Sequence, residues 1–581
     1  MKPVICTLTL TAAIALMAGA GLMPAKGSPR EPIRIATMID GAEVTGLSAN
    51  GLGEIFVNVQ HPGGKDALSE GAVPTQIGYL AGFDPATFDG GSVAIPPKGE
   101  RDRVHVAAGD YVVLARAGEK LGSGQILGGV YDTKGRLMYV SNAPDFNGFV
   151  PLGANSAYLY TAWEGAGRDG ASAVSRLKLN RVNGRWQADL ARSRMMDLSK
   201  IDGTLVMCSG TVSPWGTPLM TEEYFFYNTA VWNHPDNYDE DERPGFRGGN
   251  DVTYIKPKSM NRYLGGDSNP YRYGYVIEAN GAAGDDVQFI KHYAMGRFSH
   301  ETVAIMPDMR TTYLTDDDSP KYINKKYNTA SGGVLFKFVA DRKGDLSAGT
   351  LYAAKLKQDA GKDPRTTGFD VSWIKLAHGT DEQIAAWIAE YDGIGVKDYV
   401  EGKTNFISNE EINDWAEGKL KKDLNGDGRI GSYKDDRPAF LESRRAAAAL
   451  GATNEWDKLE GATAMGNKVY IAASSIGTTM TDGYGSLDWA TGTRNKNDQG
   501  DIALEKEGCG GVYVSETGSD YNITHLDPFV IGRNTEGKQC DANLPASPDN
   551  ILATVDGSLL IGEDAGRKHH PVDMLWLVKG N

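Results

Sequence analysis

The chain has 581 residues and a formal net charge of −15, so it is long enough for one large architecture or several ordinary domains. The acidic balance argues against nucleic-acid binding, because no excess of cations is available to neutralise phosphates. With 72 Gly, 26 Tyr and 10 Trp and many short β-rich segments, the composition favours a turn-rich, mainly β protein. An acidic surplus suits a protein that holds multivalent cations, and equally one that must stay soluble after export.

The N-terminus predicts a cleaved secretory signal over residues 1–26. Lys2 precedes an apolar run over residues 4–23, and small residues such as Ala20 and Ala25 lie near the end of that run. The run does not have the character of a membrane span. We therefore expect a periplasmic or secreted protein without a membrane span.

Removal of the signal would leave three cysteines in the mature chain. Cys509 and Cys540 are predicted to form a disulfide, because an even pair bridges in an oxidising compartment and both lie near the C-terminus. Cys208 is then the odd thiol, and is either an inert buried side chain or a metal ligand.

Short strand signals follow one another along the chain, each closed by turn residues. They cover residues 33–39, 55–59, 104–106, 111–114, 128–132, 137–140 and 157–161. Asn183-Gly184 then predicts a two-residue hairpin turn. This cadence fits a series of sandwiches or a propeller, and a propeller accommodates the length better as a single unit. We predict a mainly β fold, a β-propeller with helical insertions, over residues 27–581.

Residues 206–223, VMCSGTVSPWGTPLMTEE, combine a thiol with a carboxylate pair. A β-branched approach leads to Cys208, and the returning strand ends at Glu222 and Glu223. The three side chains could therefore meet at one point. Residues 224–273 are predicted to form a long surface loop whose charges are solvated.

Two helices are predicted over residues 381–391 and 437–450. Between them, Asp423, Asn425 and Asp427 place oxygen donors at the first, third and fifth positions of a loop suited to Ca²⁺. Lys434 stands at the twelfth position, where a bidentate Glu is expected, so an ordinary Asn/Asp/Gly turn is the alternative. The helices and this loop form a predicted insertion at about 376–453.

Carboxylates recur at strand ends or in the adjoining loops: Glu164, Glu222, Glu223, Glu301, Asp316, Asp317 and Glu460. In a propeller such positions meet around the central channel, where unneutralised carboxylates would repel one another strongly. Metal ions are the natural counter-charge. Oxygen ligands favour Ca²⁺ or Fe³⁺ and a thiolate favours a transition metal, so the mixture indicates two metal types in one site.

Four motifs, in the same order, resemble the PhoX-type alkaline phosphatases. They are the stretch over residues 206–223, GRFSHE over 296–301, ESRRAAAALGAT running into DKLEG over 442–461, and ASPDN over 546–550. The resemblance implies an exported β-propeller phosphomonoesterase with Fe³⁺ and Ca²⁺ in a shared cluster. By motif, it assigns iron ligation to Cys208 and Glu301, a further cluster ligand to Glu460, and calcium-side carboxylates to Glu222 and Glu223.

The sequence also departs from that family. Lys458 stands where the family has an Arg, and Ala162-Trp163 replaces Asn-His ahead of Glu164. The segments EVTG and FVNVQHPG, over residues 43–46 and 56–63, resemble one that the family carries near its C-terminus. We therefore predict a permuted propeller closed by strands from both ends, with residues 574–578 lying near the N-terminal strands.

The predicted function is metal-dependent hydrolysis of a small phosphate monoester by an exported, monomeric protein. Lys458, Lys355 and Arg297 are the candidate phosphate clamps. A phosphodiester or phosphotriester hydrolase is one alternative, because the loss of the Arg and the gain of Trp163 would suit a bulkier, less charged ester. The other is a non-catalytic, Ca²⁺-stabilised propeller that binds a partner.

Overall fold

The computed structural model describes residues 31–165, 170–223, 229–238, 257–317, 332–420, 435–483, 486–488, 493–495, 500–537 and 539–580. The predicted signal, part of the predicted surface loop over residues 224–273, and the predicted Ca²⁺ ligands Asp423, Asn425 and Asp427 lie outside these ranges. Among the residues within them, no helix has the length and apolar character needed to cross a membrane.

The protein is mainly β, as the composition predicts. The first strands are β1 (Ile33–Thr37), β2 (Glu43–Ala49), β3 (Ile55–Gln60), β4 (Gln76–Ala81), β5 (His105–Val106), β6 (Asp110–Arg116), β7 (Gly129–Tyr131), β8 (Leu137–Val140), β9 (Pro144–Gly153) and β10 (Ser156–Trp163). The next are β11 (Ala173–Val182), β12 (Arg185–Met195), β13 (Met207–Val212), β14 (Pro218–Glu222), β15 (Val276–Asn280), β16 (Gln288–His292), β17 (His300–Ile305), β18 (Thr311–Asp316), β19 (Phe336–Arg342), β20 (Asp345–Gln358) and β21 (Phe369–Thr380). The last are β22 (Leu459–Met465), β23 (Lys468–Ala473), β24 (Ser486–Asp488), β25 (Thr493–Asn495), β26 (Gly511–Glu516), β27 (His525–Ile531), β28 (Pro548–Ala553), β29 (Leu559–Glu563) and β30 (Met574–Val578).

Helices are few. They are α1 (Pro257–Leu264), α2 (Asp381–Ala389), α3 (Asn409–Leu420), α4 (Arg437–Leu441), α5 (Ser443–Ala449) and α6 (Gly566–His569). The helices α2 to α5 all lie between β21 and β22, so most of the helical structure interrupts the β pattern at one place.

The large sheets repeat one antiparallel pattern. Three have the strand orders β2-β3-β4-β6, β9-β10-β11-β12 and β13-β14-β15-β16. A longer sheet runs β17-β18-β19-β20-β21-β27-β26-β23-β22, and joins a unit that begins with β17 to one that begins with β22 through the β21–β27 pair. The remaining large sheet has the order β28-β29-β30-β1-β5.

The first strands of these units form a closed ring, and we call them the inner strands. Following the ring, β2 contacts β9, β9 contacts β13, β13 contacts β17, β17 contacts β22, β22 contacts β28, and β28 contacts β2. Residues at the same end of the inner strands are therefore brought together although they are far apart in the chain.

The two ends of the described chain share one sheet. The strand β30 pairs antiparallel with β1, with Leu577 opposite Ile33 and Met574 opposite Thr37. This is the predicted pairing of residues 574–578 with N-terminal strands. The sheet that holds β28 is therefore completed by β1 and β5, from the other end of the described chain.

Local signals in the sequence are reproduced closely. Asn183 and Gly184, with φ angles of 50° and 80°, make the turn between β11 and β12, as the Asn-Gly signal predicts.

The helix predicted over residues 437–450 is divided into α4 and α5 at Glu442, which has a φ of −137°. Its buried carboxylate accepts hydrogen bonds from Tyr271 and Arg445, so tertiary contacts outweigh the local helical pattern there.

The prediction of a solvated surface loop over residues 224–273 needs correction for its described part. The helix α1 lies there, and Trp232, Tyr271 and Tyr273 are fully buried. Their rings provide enough apolar surface to pack this segment into the main core.

The predicted disulfide between Cys509 and Cys540 is present.

Candidate metal centre

Each inner strand delivers one acidic or thiol side chain from its first or second residue. The six positions are Glu43 on β2, Asp145 on β9, Cys208 on β13, Glu301 on β17, Glu460 on β22 and Asp549 on β28. All six side chains are buried. The ring of inner strands therefore gathers titratable groups from the whole length of the chain at one end of its axis.

Irregular backbone accompanies these positions. The pairing register shifts around Cys208, Glu301, Glu460 and Asp549. In β2 it shifts further along the strand, between Thr45 and Ser48. Such bulges turn side chains away from the regular alternation of a strand and are frequent beside active sites.

Backbone strain is found at the same places. Val206, Lys458 and Ser547 lie immediately before β13, β22 and β28, and have positive φ angles of 48°, 58° and 44°. Positive φ is unfavourable for residues other than glycine, and most of all for a β-branched residue such as Val206. The surrounding structure holds these strained conformations, which is common at functional sites.

The Cys208 thiol lies among carboxylates contributed by other strands. Its Sγ is 3.0 Å from Glu301 Oε1, 3.1 Å from Asp145 Oδ2 and 3.5 Å from Glu164 Oε1. Burial, together with the neighbouring carboxylates, raises the pKa of this thiol well above its ordinary value. A metal ion would reverse that effect, because a coordinated thiol loses its proton.

Three groups of ligand atoms that share residues extend around Cys208, a fourth group is separate, and the atoms within each group all lie within 4.8 Å of one another. They are Asp145 with Cys208 and Glu301, Glu164 with Cys208 and Glu223, Glu223 with Glu301 and Asp317, and Glu43 with Asp549 and Asp564. Asn550 links the last group to the others, because its Nδ2 donates to Asp145 Oδ1 at 3.1 Å. The residues of these four groups, together with Glu460, are called the acidic centre.

Electrostatics make the acidic centre unstable as a set of ionised groups. Burial, reinforced by neighbouring carboxylates, raises the pKa well above its ordinary value for Glu43, Glu164, Glu223, Glu301, Glu460 and Asp549. Like charges held close together in a desolvated site cannot all ionise without a counter-charge.

Lys458 supplies part of that counter-charge. Its Nζ lies 2.7 Å from both Asp317 Oδ2 and Glu460 Oε1. Burial alone would lower the pKa of the ammonium, but Asp317, Glu460 and Glu223 raise it well above its ordinary value. The side chain retains 30% exposure, so Lys458 is a charged group that reaches from solvent to the acidic centre.

Two of the predicted ligands, Glu222 and Asp316, do not lie in the acidic centre. Glu222 is fully buried, and its carboxylate pairs with Lys291 Nζ at 3.0 Å and accepts backbone N–H groups from Leu205, Gly274 and Tyr275. Neighbouring residues of a strand point to opposite faces, so Glu223 reaches the acidic centre while Glu222 does not.

Asp316 and Asp317 divide in the same way. Asp316 forms a buried pair with Arg444 and accepts the backbone N–H groups of Ser299 and Val334. Its oxygens are therefore occupied. Asp317 turns into the acidic centre, where its Oδ1 is buried without a hydrogen-bond partner among the described residues.

Two of the three candidate phosphate clamps are not at the centre. Arg297 is fully buried, and donates to the carbonyls of Tyr273 and Leu441 and to Thr229 Oγ1. Lys355 pairs with Asp501 at 2.7 Å on a half-exposed part of β20. Lys458 is the candidate clamp that the structure brings to the acidic centre.

Trp163 gives no support to the prediction of a bulkier ester. Its ring is fully buried in the main core and its Nε1 donates to Ser175 Oγ at 2.9 Å. It therefore does not shape a substrate pocket. The adjacent Glu164 does reach the centre, through Cys208.

Asp145, Glu43, Asp549 and Asp564 were not predicted as ligands. A weak internal repeat marks two of them, since Pro144-Asp145 and Pro548-Asp549 both begin inner strands. The same Pro-Asp dipeptide at the start of two inner strands is therefore a sequence signal for these two ligands.

The donor set fits a mixed metal centre. A single thiol among carboxylates provides one soft and several hard ligands, which suit a transition metal beside Ca²⁺. Asp317 Oδ1, which is buried without a hydrogen-bond partner among the described residues, is available as a ligand atom. The nearby Lys458 cannot neutralise so many carboxylates alone.

The chain is similar to one known protein family. The family model described as alkaline phosphatase PhoX matches residues 173–578. No curated protein sequence matches the chain. Among solved structures, a glucose dehydrogenase aligns over 94% of this chain and 98% of its own, with 8% identity and a TM-score of 0.26. Trypanosoma rangeli sialidase aligns over 59% and 49%, with 8% identity and a TM-score of 0.22. These scores are too low to support any inference.

The neighbours Glu222 and Glu223 offer a matched test. Glu223→Gln removes a charged ligand and is expected to weaken metal retention about 100-fold. Glu222→Gln leaves Lys291 buried without its carboxylate, which should cost about 3 kcal/mol of stability but leave bound metal unchanged. Elemental analysis after dialysis would measure the retained metal, and denaturant unfolding would measure the stability of each variant. Equal metal loss in the two variants would contradict this division of roles.

Proposed function

The chain belongs to the PhoX alkaline phosphatase family, and from that premise we propose that it is an exported, metal-dependent phosphomonoesterase. Family membership supports a phosphoric ester hydrolase in general. The single observation that carries the finer proposal is the acidic centre, in which six inner strands meet around a thiol and one reachable ammonium.

The fold we propose is a six-bladed β-propeller. Six antiparallel units repeat, their inner strands contact one another in a closed ring, and strands from both ends of the chain share one sheet. A propeller offers a central channel to which every blade contributes one side chain, which is the arrangement that the centre requires.

Metal ligation is proposed to divide by ligand chemistry. Cys208, with Glu301, Asp145 and Glu164, offers the soft and anionic set suited to Fe³⁺. Glu223, Asp317 and Glu460 on one side, and Glu43, Asp549 and Asp564 on the other, offer the all-oxygen sets that suit Ca²⁺. When bound, these ions would neutralise the phosphate oxygens and activate water toward phosphorus.

Lys458 is proposed to bind the phosphate. In the described structure its ammonium is shared by Asp317 and Glu460, and ligation of these carboxylates by metal would free it to meet an incoming anion. A compact ammonium can turn between partners, whereas it cannot make the paired contacts of a guanidinium. A dianionic monoester also matches a cation-rich site better than a neutral triester does.

Export is proposed from two features. The predicted signal over residues 1–26 has a short basic start and an apolar run. The Cys509–Cys540 disulfide is consistent with an oxidising compartment, where such bonds persist.

Metal analysis combined with ester assays tests the function. The protein should contain iron and calcium, and should hydrolyse p-nitrophenyl phosphate faster than the matched diester and triester. Cys208→Ser should lose iron and lower kcat about 100-fold or more. Calcium alone, with no hydrolysis of any ester, would overturn the enzyme assignment and favour a binding module. Preference for the diester or triester would overturn the monoester assignment only.

The two lysines provide a second test. Lys458→Met is expected to lower kcat/KM for the monoester about 100-fold, because it removes a cation from the phosphate. Lys458→Arg should restore much of the loss. Lys355→Met removes the same charge from a surface pair and should change kcat/KM less than about twofold. Metal content measured in parallel shows whether each effect is direct, and a similar loss from Lys355→Met would contradict the assignment.

A further inference from the structure

We propose that a basic cavity beside the acidic centre binds a second anionic group of the substrate, so that the preferred monoesters carry an anion on their alcohol portion. The inference rests on the proposed phosphomonoesterase function and names a substrate class for it. The cavity has a volume of about 350 Å³ and is lined by Asp40, Lys98, Arg101, Gln539, Arg567 and Pro571. We call it the basic cavity.

Its charge is opposite to that of the whole chain. Three of the lining side chains are cationic and one is a carboxylate, whereas the chain carries a formal net charge of −15. A local positive region on an acidic protein attracts anions selectively, and its field acts over about 8–10 Å at physiological salt.

The cations retain unused donors. Arg567 donates to Asp40 through Nε at 3.1 Å and through Nη2 at 2.9 Å, and a guanidinium has five N–H groups. Arg567 Nη1 is therefore not engaged by this pair. Arg101 donates to the carbonyls of Pro96 and Pro571, each at 3.1 Å. These partners fix its position and carry no formal charge. Lys98 is exposed at the same cavity.

Two residues that line the basic cavity are close in sequence to residues of the acidic centre. Asp40 precedes the centre residue Glu43 by three positions, and Arg567 follows the centre residue Asp564 by three positions. Three residues of extended chain span at most about 10 Å. A substrate with its phosphate at the centre could therefore place a second anion in the cavity across a short linker.

The walls are fixed before a ligand arrives. Gln539 Nε2 donates to the Lys568 carbonyl at 2.9 Å, and Cys540 N donates to the His569 carbonyl at 3.0 Å. The disulfide to Cys509 holds that segment in place. A preorganised site loses less entropy when it binds a ligand than a mobile one does.

The cavity is also a feature of this chain beyond the family match. Asp40, Lys98 and Arg101 precede residue 173, where the match begins. The pairing of β30 with β1 brings this N-terminal segment against Arg567 and Pro571. The sheet shared by the two ends of the described chain therefore creates the site.

A linker series tests the proposal on the full, metal-loaded protein. The substrates are hexyl phosphate and the bisphosphates of butanediol, hexanediol and octanediol, with rates normalised per phosphate. We expect kcat/KM for the best bisphosphate to exceed that for hexyl phosphate about tenfold, and the advantage to shrink at high salt. Lys98→Glu should abolish the advantage and leave hexyl phosphate hydrolysis unchanged. Lys343→Glu, the same change at an exposed turn between β19 and β20, is the matched control.

The outcomes separate this proposal from the function it rests on. Hydrolysis of hexyl phosphate with no bisphosphate advantage, or an advantage that Lys98→Glu leaves intact, overturns the basic cavity alone. If no ester is hydrolysed, the proposed function fails. Calorimetry with hexane bisphosphonate and hexylphosphonate then tests independently whether the basic cavity binds a second anionic group. Tighter binding of the bisphosphonate that is lost in Lys98→Glu supports the cavity, and equal binding of the two overturns it.

Discussion

Mutual repulsion among buried carboxylates is the constraint on which this structure depends. Glu301, Asp145 and Glu164 surround one thiol in a desolvated site, and further carboxylates continue on both sides of it. Burial raises the pKa values of most of these groups, and Lys458 offsets only part of the charge. Bound cations would supply the missing counter-charge and let these groups ionise, which connects the fold to metal-dependent chemistry.

The fold meets this constraint with short-range devices repeated around a ring. Inner strands place their first residues at one end of the axis, and bulges and strained residues such as Val206 turn side chains inward. A layer of fully paired ions supports the centre from behind, and includes Glu222 with Lys291 and Asp316 with Arg444. Removing one partner of such a buried pair costs far more than the pair itself contributes, so this layer preserves the geometry.

The sequence predicted much of the fold and part of the site. The turn at Asn183-Gly184 was foreseeable because it depends on a local signal. The pairing of β30 with β1 matches the expectation drawn from the family resemblance. The roles of Glu222 and Asp316 were not foreseeable, since Lys291 and Arg444 are distant in sequence and only the folded chain brings them close. Strand alternation could still have indicated that adjacent acids cannot both face one centre. Asp145 was missed because one acid at a strand start is distinctive only when it is compared with Pro548-Asp549, far along the chain.

The pH dependence of stability with and without metal tests the central claim most directly. In the metal-free protein the carboxyl groups have folded-state pKa values above their ordinary value of about 4.5, so the folded state binds more protons than the unfolded state. Stability should then fall as pH rises from about 5 to 8. Bound cations should remove this loss, and the gap between the unfolding midpoints of metal-loaded and metal-free protein should widen with pH. A gap that stays constant or narrows across this range would contradict the account.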